Sequence, residues 1–448
     1  MVRPLVIVLD DDPTGCQTVH SCLLLTQWDK ETLRLGVKDN SPLFFVLTNT
    51  RAVPPDRAAA ITRSVCQNLR EVLREEGVER FLIVSRSDST LRGHYPIETD
   101  VIAAELGTFD AHFLVPAFFE GGRFTENSVH YLMVDGVPTP THLTEFAKDS
   151  VFGYSTSYLP AYVEEKTKGR IKAEQVVRFL LEDVRAGLQD KLRQLQGNVC
   201  VVVDAKEQSD LDRFAQDVLT VSAEGKRFLF RSAASLLTAL AQLPPQPIAP
   251  EEMGRHVNST GVILVGSHVK KTTTQLAALL ELNSVQPIPV QVERLLHNEF
   301  ASLQQEVLEK VQTSLQQGLT PVIFTSRQEI TFTDLAARLA FGERVSDLLM
   351  AIVANLPPGI GFLISKGGIT SNDVLSKGLA LRAVRLLGQI LPGVSVVRTD
   401  SHHPRFPNLP VVLFPGNVGD RDSLVTVYQR LSGRSDPPNS QDRETPGQ

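Results

Sequence analysis

The sequence predicts an α/β protein made of two three-layer α/β domains with largely parallel sheets. Short apolar runs rich in β-branched residues alternate along the chain with stretches of helical periodicity, which is the order that βαβ units produce. At 448 residues the chain is longer than one hydrophobic core ordinarily serves. Four prolines within residues 244–250 indicate a stiff, extended linker between the two domains.

The first half contains apolar runs that predict the buried strands of a parallel sheet. These runs are 5–9, 44–47, 81–84, 113–115, 199–204 and 227–232. Other stretches have the apolar spacing of amphipathic helices. These stretches are 56–76, a segment that ends at 106, 174–196, 211–221 and 233–243. Glycines and prolines interrupt the segment 134–169, so less regular structure is predicted there.

The second half repeats the same alternation of strands and helices. The predicted strands are 261–265, 290–292, 321–325, 361–365, 394–398 and 411–414, and the predicted helices are 270–282, 299–316, 332–354 and 371–391. The last residues are polar and contain prolines, a composition typical of disorder. We therefore expect an N-terminal domain at 1–243, a linker at 244–250, a C-terminal domain at 251–432 and a disordered tail at 433–448.

Composition and charge narrow the classes of function. Hydrophobic residues make up 42% of the chain and charged residues 21%, as in globular proteins. The net charge is −6 and basic residues do not cluster, so we do not expect nucleic acid as a partner. The four cysteines form no C-x-x-C pair, which argues against a zinc site or disulfide framework and favours the reducing cytoplasm. We expect no membrane association, because no apolar run approaches the length of a membrane span and no signal peptide is recognisable.

The first predicted strand ends in an acidic turn, Asp10-Asp11-Asp12-Pro13-Thr14-Gly15. Open α/β sheets bind ligands at the carboxyl ends of their strands, so this turn should face a binding crevice. Three adjacent carboxylates destabilise an empty site unless a metal ion or a cationic or hydroxyl-rich ligand is present. The alternative interpretation is a solvated acidic turn without a function.

Two further strand ends in the first half carry polar residues. The strand 81–84 is followed by a segment dense in hydroxyls, with Asp88, Ser89, Thr90 and Arg92, and Arg51 follows the strand 44–47. Such a mixture can hydrogen-bond a polyol and pair with its carboxylate. Ser89 and Thr90 could instead be ordinary helix caps, and Arg51 could be a surface ion pair.

Three strand ends in the second half carry small or glycine-rich turns: Gly266-Ser267, Gly367-Gly368 and Gly416-Asn417-Val418-Gly419. Glycines allow backbone N–H groups to approach a phosphate closely, and Lys366, Lys270 and Lys271 could add positive charge. None of the three turns is a Walker loop or a G-x-G-x-x-G fingerprint. Each alone could be a plain turn, but three in one domain favour a nucleotide site.

Taken together, these motifs resemble those of the four-carbon acid sugar kinases. Asp11-Asp12-Pro13-Thr14-Gly15 is similar to that family's opening Asp-Asp-x-Thr-Gly motif, and Asp88-Ser89-Thr90-Leu91-Arg92-Gly93 to its most specific signature. Pro116-Ala117 with Gly122-Arg123, and the three turns of the second half, match further family segments in order. The resemblance implies a kinase that uses ATP and Mg²⁺ on a small sugar acid, with its active site in the cleft between the domains. The interpretation leaves room for a homo-oligomer.

The resemblance also implies individual site residues. The acid would contact Asp12, Arg51, Asp88, Ser89, Thr90 and Arg92, and ATP would contact Ser267, Gly367, Gly368, Ile369, Thr370 and Gly416. Asp12 would be the catalytic residue, and no metal ligand is assigned. Ile369 stands where the family usually has Glu, which removes a ribose or metal contact.

Two other interpretations stay open at this point. Asp10-x-Asp12 after a buried strand also fits the opening of haloacid dehalogenase phosphatases, in which the first Asp is the nucleophile and the second the acid or base. This interpretation leaves the second domain unexplained. Ile369 motivates the other alternative, a catalytically inactive ligand-binding homologue.

Overall fold

A computed structural model of the chain describes residues 3–254, 260–326, 330 and 335–434. The chain forms two compact units that divide between Pro245 and Gln246. The predicted disordered tail lies, from residue 435 onward, outside the described residues. No helix in the described ranges is long and apolar enough to cross a membrane.

The N-terminal unit is an α/β fold with a main sheet, a small second sheet and helices around them. Its strands are β1 (Leu5–Asp10), β2 (Leu23–Leu25), β3 (Leu43–Leu47), β4 (Phe81–Arg86), β5 (Ala111–Val115), β6 (Arg123–Glu126), β7 (Val129–Val134), β8 (Val137–Pro140), β9 (Val177–Phe179), β10 (Val199–Val203) and β11 (Phe228–Ser232). Its helices are α1 (Lys30–Val37), α2 (Pro55–Glu75), α3 (Ile97–Leu106), α4 (Leu159–Lys166), α5 (Leu181–Ala186), α6 (Gln189–Gln194), α7 (Gln208–Ala223) and α8 (Ala234–Ala241).

The main sheet of this unit is parallel, in the order β2-β3-β1-β4-β11-β5-β10-β9. β1 is among its central strands, and Val6, Ile7 and Val8 are fully buried, which explains their apolar, β-branched character. In the pairing register Asp10 lies opposite Leu47 of β3 and Arg86 of β4. The loops that follow β1, β3 and β4 therefore begin side by side at one edge of the sheet.

Two parts of this unit differ from the sequence prediction. The helix predicted at 174–196 is wrong: that segment contains β9, α5 and α6. Gly187 ends α5 with a φ of +108°, a conformation that interrupts a helix and that favours glycine. The segment 134–169, predicted to be less regular, contains strand β8 and helix α4, and β8 forms a small antiparallel sheet with β7 and β6.

The C-terminal unit is a second α/β fold with its own sheet. Its strands are β12 (Val262–Val265), β13 (Val285–Val290), β14 (Thr320–Thr325), β15 (Leu363–Lys366), β16 (Ala383–Leu391), β17 (Val394–Arg398) and β18 (Pro410–Phe414). Its helices are α9 (Lys270–Leu280), α10 (Phe300–Gln316), α11 (Leu335–Ala354), α12 (Gly368–Asp373) and α13 (Ser423–Ser432). The first residues of the helix predicted at 332–354 lie outside the described residues.

The strands of this unit follow the order β13-β14-β12-β15-β18-β17-β16. Pairing is parallel from β13 to β18 and antiparallel for β17 with β18 and with β16. The core gathers apolar residues from strands and helices, among them Ile263, Phe362, Val412 and Tyr428. β12, β15 and β18 are neighbours, so the turns after them start at the same edge.

Two predictions for this unit are wrong. The helix predicted at 371–391 ends early: α12 stops at Asp373, one π-helical turn follows, and 383–391 form strand β16. Pairing with β17 decides this outcome over the good helix propensity of the segment. The strand predicted at 290–292 instead occupies 285–290. It includes Pro287 and Pro289, which an end strand tolerates because one of its edges has no partner strand within the described sheet.

Candidate functional site

The three aspartates after β1 lie in three different environments. Asp10 is fully buried beneath the turn, where a Cβ atom on Gly15 would overlap its carboxyl group. Burial raises the pKa of Asp10 to about 8, and Arg86, whose Nη1 lies 3.8 Å from Oδ1, only partly opposes this effect. Asp10 is therefore mainly uncharged at pH 7. Its Oδ2 has no hydrogen-bond partner among the described residues.

Asp11 and Asp12 both face Arg51, which comes from the loop after β3. Arg51 donates to both carboxylate oxygens of Asp11, and its Nη1 lies 3.4 Å from Oδ2 of Asp12. Thr14 donates to Asp12 from its backbone N–H at 2.8 Å and from its hydroxyl at 2.5 Å. The Asp11 side chain is 2% exposed and that of Asp12 is 21% exposed, so only Asp12 is open to a ligand.

Burial alone would raise the pKa of Asp12. The charge of Arg51 and the two hydrogen bonds from Thr14 outweigh that effect and lower the pKa. Asp12 is thus a charged hydrogen-bond acceptor at neutral pH and a weak base.

The loop after β4, residues 87–93, supplies the second half of the site. Asp88 accepts from the backbone N–H of Thr90 at 3.2 Å, from the Thr90 hydroxyl, and from Nε of Arg92 at 2.9 Å. Nη1 of Arg51 lies 3.8 Å from Asp88 and so links the two loops. Burial would raise the pKa of Asp88, but Arg51 and Arg92 hold it well below its usual range.

Residues predicted from one motif differ in how available they are. Thr90 is 1% exposed, and its hydroxyl donates a hydrogen bond to Asp88. The hydroxyl of Ser89 makes no hydrogen bond with the described residues and can receive a ligand. Within the part of the chain that the structure describes, Nη1 and Nη2 of Arg92 donate no hydrogen bond, and the carboxylate of Asp149 lies 3.8 Å from Nη1.

Three side chains hold this loop in place by donating hydrogen bonds to consecutive backbone carbonyl groups. His130 donates to the carbonyl oxygen of Ser89 at 2.7 Å, Tyr154 to that of Thr90 at 2.7 Å, and Tyr162 to that of Leu91 at 2.8 Å. Leu91 itself has a φ of +67°, a conformation that a branched side chain adopts at a cost of order 1–3 kcal/mol. The three donors fix the loop in this geometry.

Sequence reasoning missed these three donors. They come from the region 123–162, whose short strands and turns show no clear periodicity, and a lone His or Tyr there has no motif around it. His130 is fully buried, and burial lowers its pKa to about 4. Because its Nε2 must donate to a carbonyl, its Nδ1 accepts from the Thr125 hydroxyl at 2.9 Å.

The predicted nucleotide residues also converge within the C-terminal unit. A Cβ atom on Gly416 would lie 2.9 Å from Oγ of Ser267, and one on Gly367 would lie 3.1 Å from Cβ of Ser267. A Cβ atom on Gly266 would overlap the hydroxyl of Thr370. Thr272 at the start of α9 donates to the carbonyl of Gly416 at 3.0 Å. The turns after β12, β15 and β18 therefore pack so closely that glycine is required where they touch.

A cavity of about 490 Å³ opens beside these turns, within the size range of small-molecule sites. Gly266, Ile369 and Thr370 form part of its wall. Ile369 is 62% exposed although it is apolar. The other apolar lining residues include Val292, Phe341, Val345, Leu349 and Met350. Gly368 lies between Gly367 and Ile369 as the first residue of α12.

Lys366 is a fully buried lysine at the end of β15. Its ammonium group donates to the carbonyl of Pro415 at 2.5 Å and lies 3.8 Å from the ring centroid of Phe414. Burial, with a smaller contribution from Lys271, lowers the pKa of Lys366 to about 7. Lys366 thus connects the glycine turn after β15 with the turn after β18.

Within the described ranges, no group of three or more His, Cys, Asp or Glu side chains is arranged to hold a metal ion. Mg²⁺ commonly needs only one or two carboxylates, since it keeps several waters and binds the phosphates of a nucleotide. The side chains present are therefore compatible with a metal ion that is bound chiefly through phosphate.

Two family models match the chain, one to each unit. A sugar-binding N-terminal domain matches residues 6–240, and a nucleotide-binding C-terminal domain matches residues 262–424. The D-erythronate kinase of Heliobacterium modesticaldum is 25% identical, over 95% of this chain and 97% of its own length. The D-threonate kinase of Bordetella bronchiseptica is 23% identical, over 97% of this chain and 99% of its own length.

Solved structures with the same fold extend over nearly the whole chain. A Salmonella typhimurium LT2 protein named as a candidate tRNA synthase aligns with a TM-score of 0.70 at 20% identity, over 96% of this chain and all of its own. A Haemophilus influenzae protein aligns with a TM-score of 0.62 at 20% identity, over 95% of this chain and 99% of its own. At this identity the likeness bears on the fold, which agrees with the two-domain α/β class predicted from the sequence.

Proposed function

This chain belongs to the family with a sugar-binding N-terminal domain and a nucleotide-binding C-terminal domain, and from that membership we propose that it is an ATP-dependent kinase of a four-carbon sugar acid. The observation that carries the proposal is the similarity, over nearly the full length, to kinases of D-erythronate and D-threonate. The arrangement of charged and hydroxyl groups within each unit supports it independently.

The N-terminal unit would bind the acid. Asp12, Asp88, Ser89 and Thr90 offer carboxylates and hydroxyls for the hydroxyl groups of the substrate. Arg51 holds Asp11, Asp12 and Asp88 in one constellation, and Arg92 still has donors for an anion. A planar guanidinium suits a carboxylate because two parallel N–H···O bonds can form.

The C-terminal unit would bind ATP. The close-packed turns at Ser267, Gly367–Gly368 and Gly416 would bring the main chain near the phosphates. The N–H groups of Ser267 and Gly367 already donate to the carbonyls of Lys366 and Phe414 and so fix the geometry of these turns. Thr370 lies at their junction, and Lys366 adds a cation when protonated. The cavity beside Ile369 has both apolar and polar lining residues, and its apolar part suits the flat face of a base, so an Ile at this position would keep a nucleotide contact of another kind.

Phosphoryl transfer needs a positioned hydroxyl and stabilised charge more than covalent chemistry. We assign Asp12 to accept the hydrogen bond of the attacking hydroxyl and to take up its proton as transfer proceeds, because Asp12 is the most exposed of the three aspartates. Its lowered pKa makes proton uptake late, so orienting the hydroxyl is its first role. Mg²⁺ bound to the triphosphate would neutralise its charge. Transfer also requires the nucleotide to reach the acid, and the cleft between the domains that would allow this stays a prediction. A homo-oligomer and a cytoplasmic location also stay predictions.

The haloacid dehalogenase alternative needs Asp10 as a nucleophile. Asp10 is fully buried and mainly protonated at pH 7, so it can neither reach a phosphate ester nor attack it. The inactive alternative rests on Ile369, whose place in the wall of a cavity of about 490 Å³ gives it another explanation.

The proposal is tested by incubating the full chain with Mg²⁺ and ATP and both enantiomers of erythronate and threonate, and by measuring ADP and inorganic phosphate separately. A kinase releases ADP only when an acceptor acid is present, and releases no inorganic phosphate. ATP-independent phosphate release from phosphorylated sugars would favour a phosphatase. Absence of any acid-dependent ADP would refute the proposal.

A further inference from the structure

Arg123 is a cation of the N-terminal unit that has no counterion among the described residues. Arg51 faces Asp11 and Asp12, and Arg92 faces Asp88. Among the residues that the structure describes, the side chain of Arg123 makes neither a hydrogen bond nor an ion pair, and its Nε is buried without a partner. Its guanidinium lies 5.8 Å from the ring centroid of Phe118.

The backbone around Arg123 is held firmly. Arg123 and Phe118 exchange two backbone hydrogen bonds, of 2.8 and 3.0 Å. A Cβ atom on Gly121 would overlap Nη1 of Arg123, so the absence of a side chain at Gly121 makes room for the guanidinium. The Arg123 side chain therefore occupies a prepared position on the protein.

That position faces the loop after β4. Side chains two residues apart on a strand share a face, so Arg123 lies on the same face of β6 as Thr125. Thr125 bonds to His130 on β7, and His130 donates to the carbonyl of Ser89. The shared face of β6 is thereby connected to the proposed acid site.

The electrostatic surroundings agree with this placement. Burial lowers the pKa of Arg123, Asp88 raises it and Arg92 lowers it further, so these two residues are its charged neighbours. A guanidinium nevertheless stays protonated in a protein. A partly desolvated cation without a partner is unfavourable until an anion binds beside it.

We propose that Arg123, together with the free donors of Arg92, binds the carboxylate of the acid substrate and sets the preference for acids over neutral polyols. This inference rests on the proposed function and adds a residue to it. Arg92 pairs with Asp88, and Asp88 also acts on the charge of Arg123, so Asp88 would read the hydroxyl next to the carboxylate. An anion of another kind, the transferred phosphoryl group, is the competing occupant that the experiment must separate.

The test compares the wild type with Arg123→Gln and Arg123→Lys, and with Arg80→Gln as a control that removes an exposed arginine of the same unit. Steady-state kinetics of each protein give KM for the preferred acid, KM for ATP, and kcat/KM for the acid and for erythritol. Calorimetry without nucleotide measures binding of the acid. Melting temperatures report whether the variants fold.

Arg123→Gln should weaken acid binding and raise its KM about 30-fold or more, as loss of a charge-assisted pair does. KM for ATP and kcat/KM for erythritol should stay within about 3-fold, and Arg123→Lys should recover part of the acid affinity because it keeps the charge but not the planar fork. Arg80→Gln should behave as the wild type.

Unchanged acid affinity in a folded Arg123→Gln variant would overturn the inference. So would an equal loss of kcat/KM for acid and polyol with acid binding intact, since that pattern assigns Arg123 to the phosphoryl group. If Arg123→Gln fails to fold, a folded Arg123→Lys variant decides: partly lost acid affinity with KM for ATP unchanged would support the inference, and full acid affinity would overturn it. A wild type that phosphorylates no acid would refute the proposed function instead.

Discussion

Replacing Asp10 with Asn tests the electrostatic description of the acidic turn. The substitution keeps the size of the side chain and removes its ability to ionise. Asp10 has a pKa of about 8 in the folded chain against an ordinary value of 3.8. A carboxyl whose folded pKa is raised favours the folded state most at low pH, and this contribution is lost as the pH rises from about 4 to about 8.

The magnitude follows from the shift. At about 1.4 kcal/mol per pH unit, keeping the proton on Asp10 in the folded state costs about 2 kcal/mol at pH 5 and about 4 kcal/mol at pH 7. Asn avoids this cost, but its buried amide leaves donors unsatisfied at the position of Oδ2, which costs about 1–3 kcal/mol. The free energy of unfolding of Asp10→Asn should thus exceed that of the wild type by about 1–3 kcal/mol at pH 7. At pH 5 this difference should be about 2–3 kcal/mol smaller.

Urea unfolding at pH 5 and pH 7 measures this difference. Trp28 is the single tryptophan of the chain and lies in the N-terminal unit, so its fluorescence follows that unit. Asp135→Asn, at an exposed carboxylate of the same unit, is the matched control. A variant that is destabilised equally at both pH values, or more at pH 7, would show that Asp10 is ionised and paired with Arg86, and would refute the reasoning.

Three further predictions concern activity. Asp12→Asn should lower kcat about 100-fold or more with KM for ATP nearly unchanged, as steady-state kinetics will show, and near-normal turnover would remove Asp12 from the mechanism. His130→Phe should raise KM for the acid about tenfold, because the Ser89 carbonyl loses its donor, whereas an unchanged KM would limit His130 to packing. Lys366 has a pKa of about 7, so ATP affinity should fall between pH 6 and pH 8 as its ammonium loses the proton. Calorimetry should show a flatter pH profile of ATP affinity for Lys366→Met. A profile identical to that of the wild type would exclude Lys366 as the titrating group.

The fold class and the strand ends could be predicted because they depend on local pattern. Buried parallel strands such as β1 are apolar throughout, and their polar ends stand out in the sequence. The convergence of the acidic turn, Arg51 and the loop at 87–93 follows from their places beside neighbouring parallel strands. The same argument holds for the three glycine turns of the C-terminal unit.

Other features depend on long-range contacts that one sequence does not display. Strand β16 has a helix-like sequence and becomes a strand through its pairing with β17. His130, Tyr154 and Tyr162 gain their roles only because the chain folds back onto the loop after β4. Asp10 looks like its two neighbours in the sequence, and only its burial beneath Gly15 separates it from Asp12.

The central claim is that the chain transfers the terminal phosphate of ATP to a four-carbon sugar acid. The most direct measurement uses ATP labelled in its γ-phosphate, the wild-type chain and the two enantiomers of erythronate and threonate, with Asp12→Asn as the control. We predict that the label appears in a phosphorylated acid, one for each ADP formed, and that Asp12→Asn forms it at about 1% of the wild-type rate or less. Label that stays in ATP with every acid, or that appears only as inorganic phosphate, would contradict the claim.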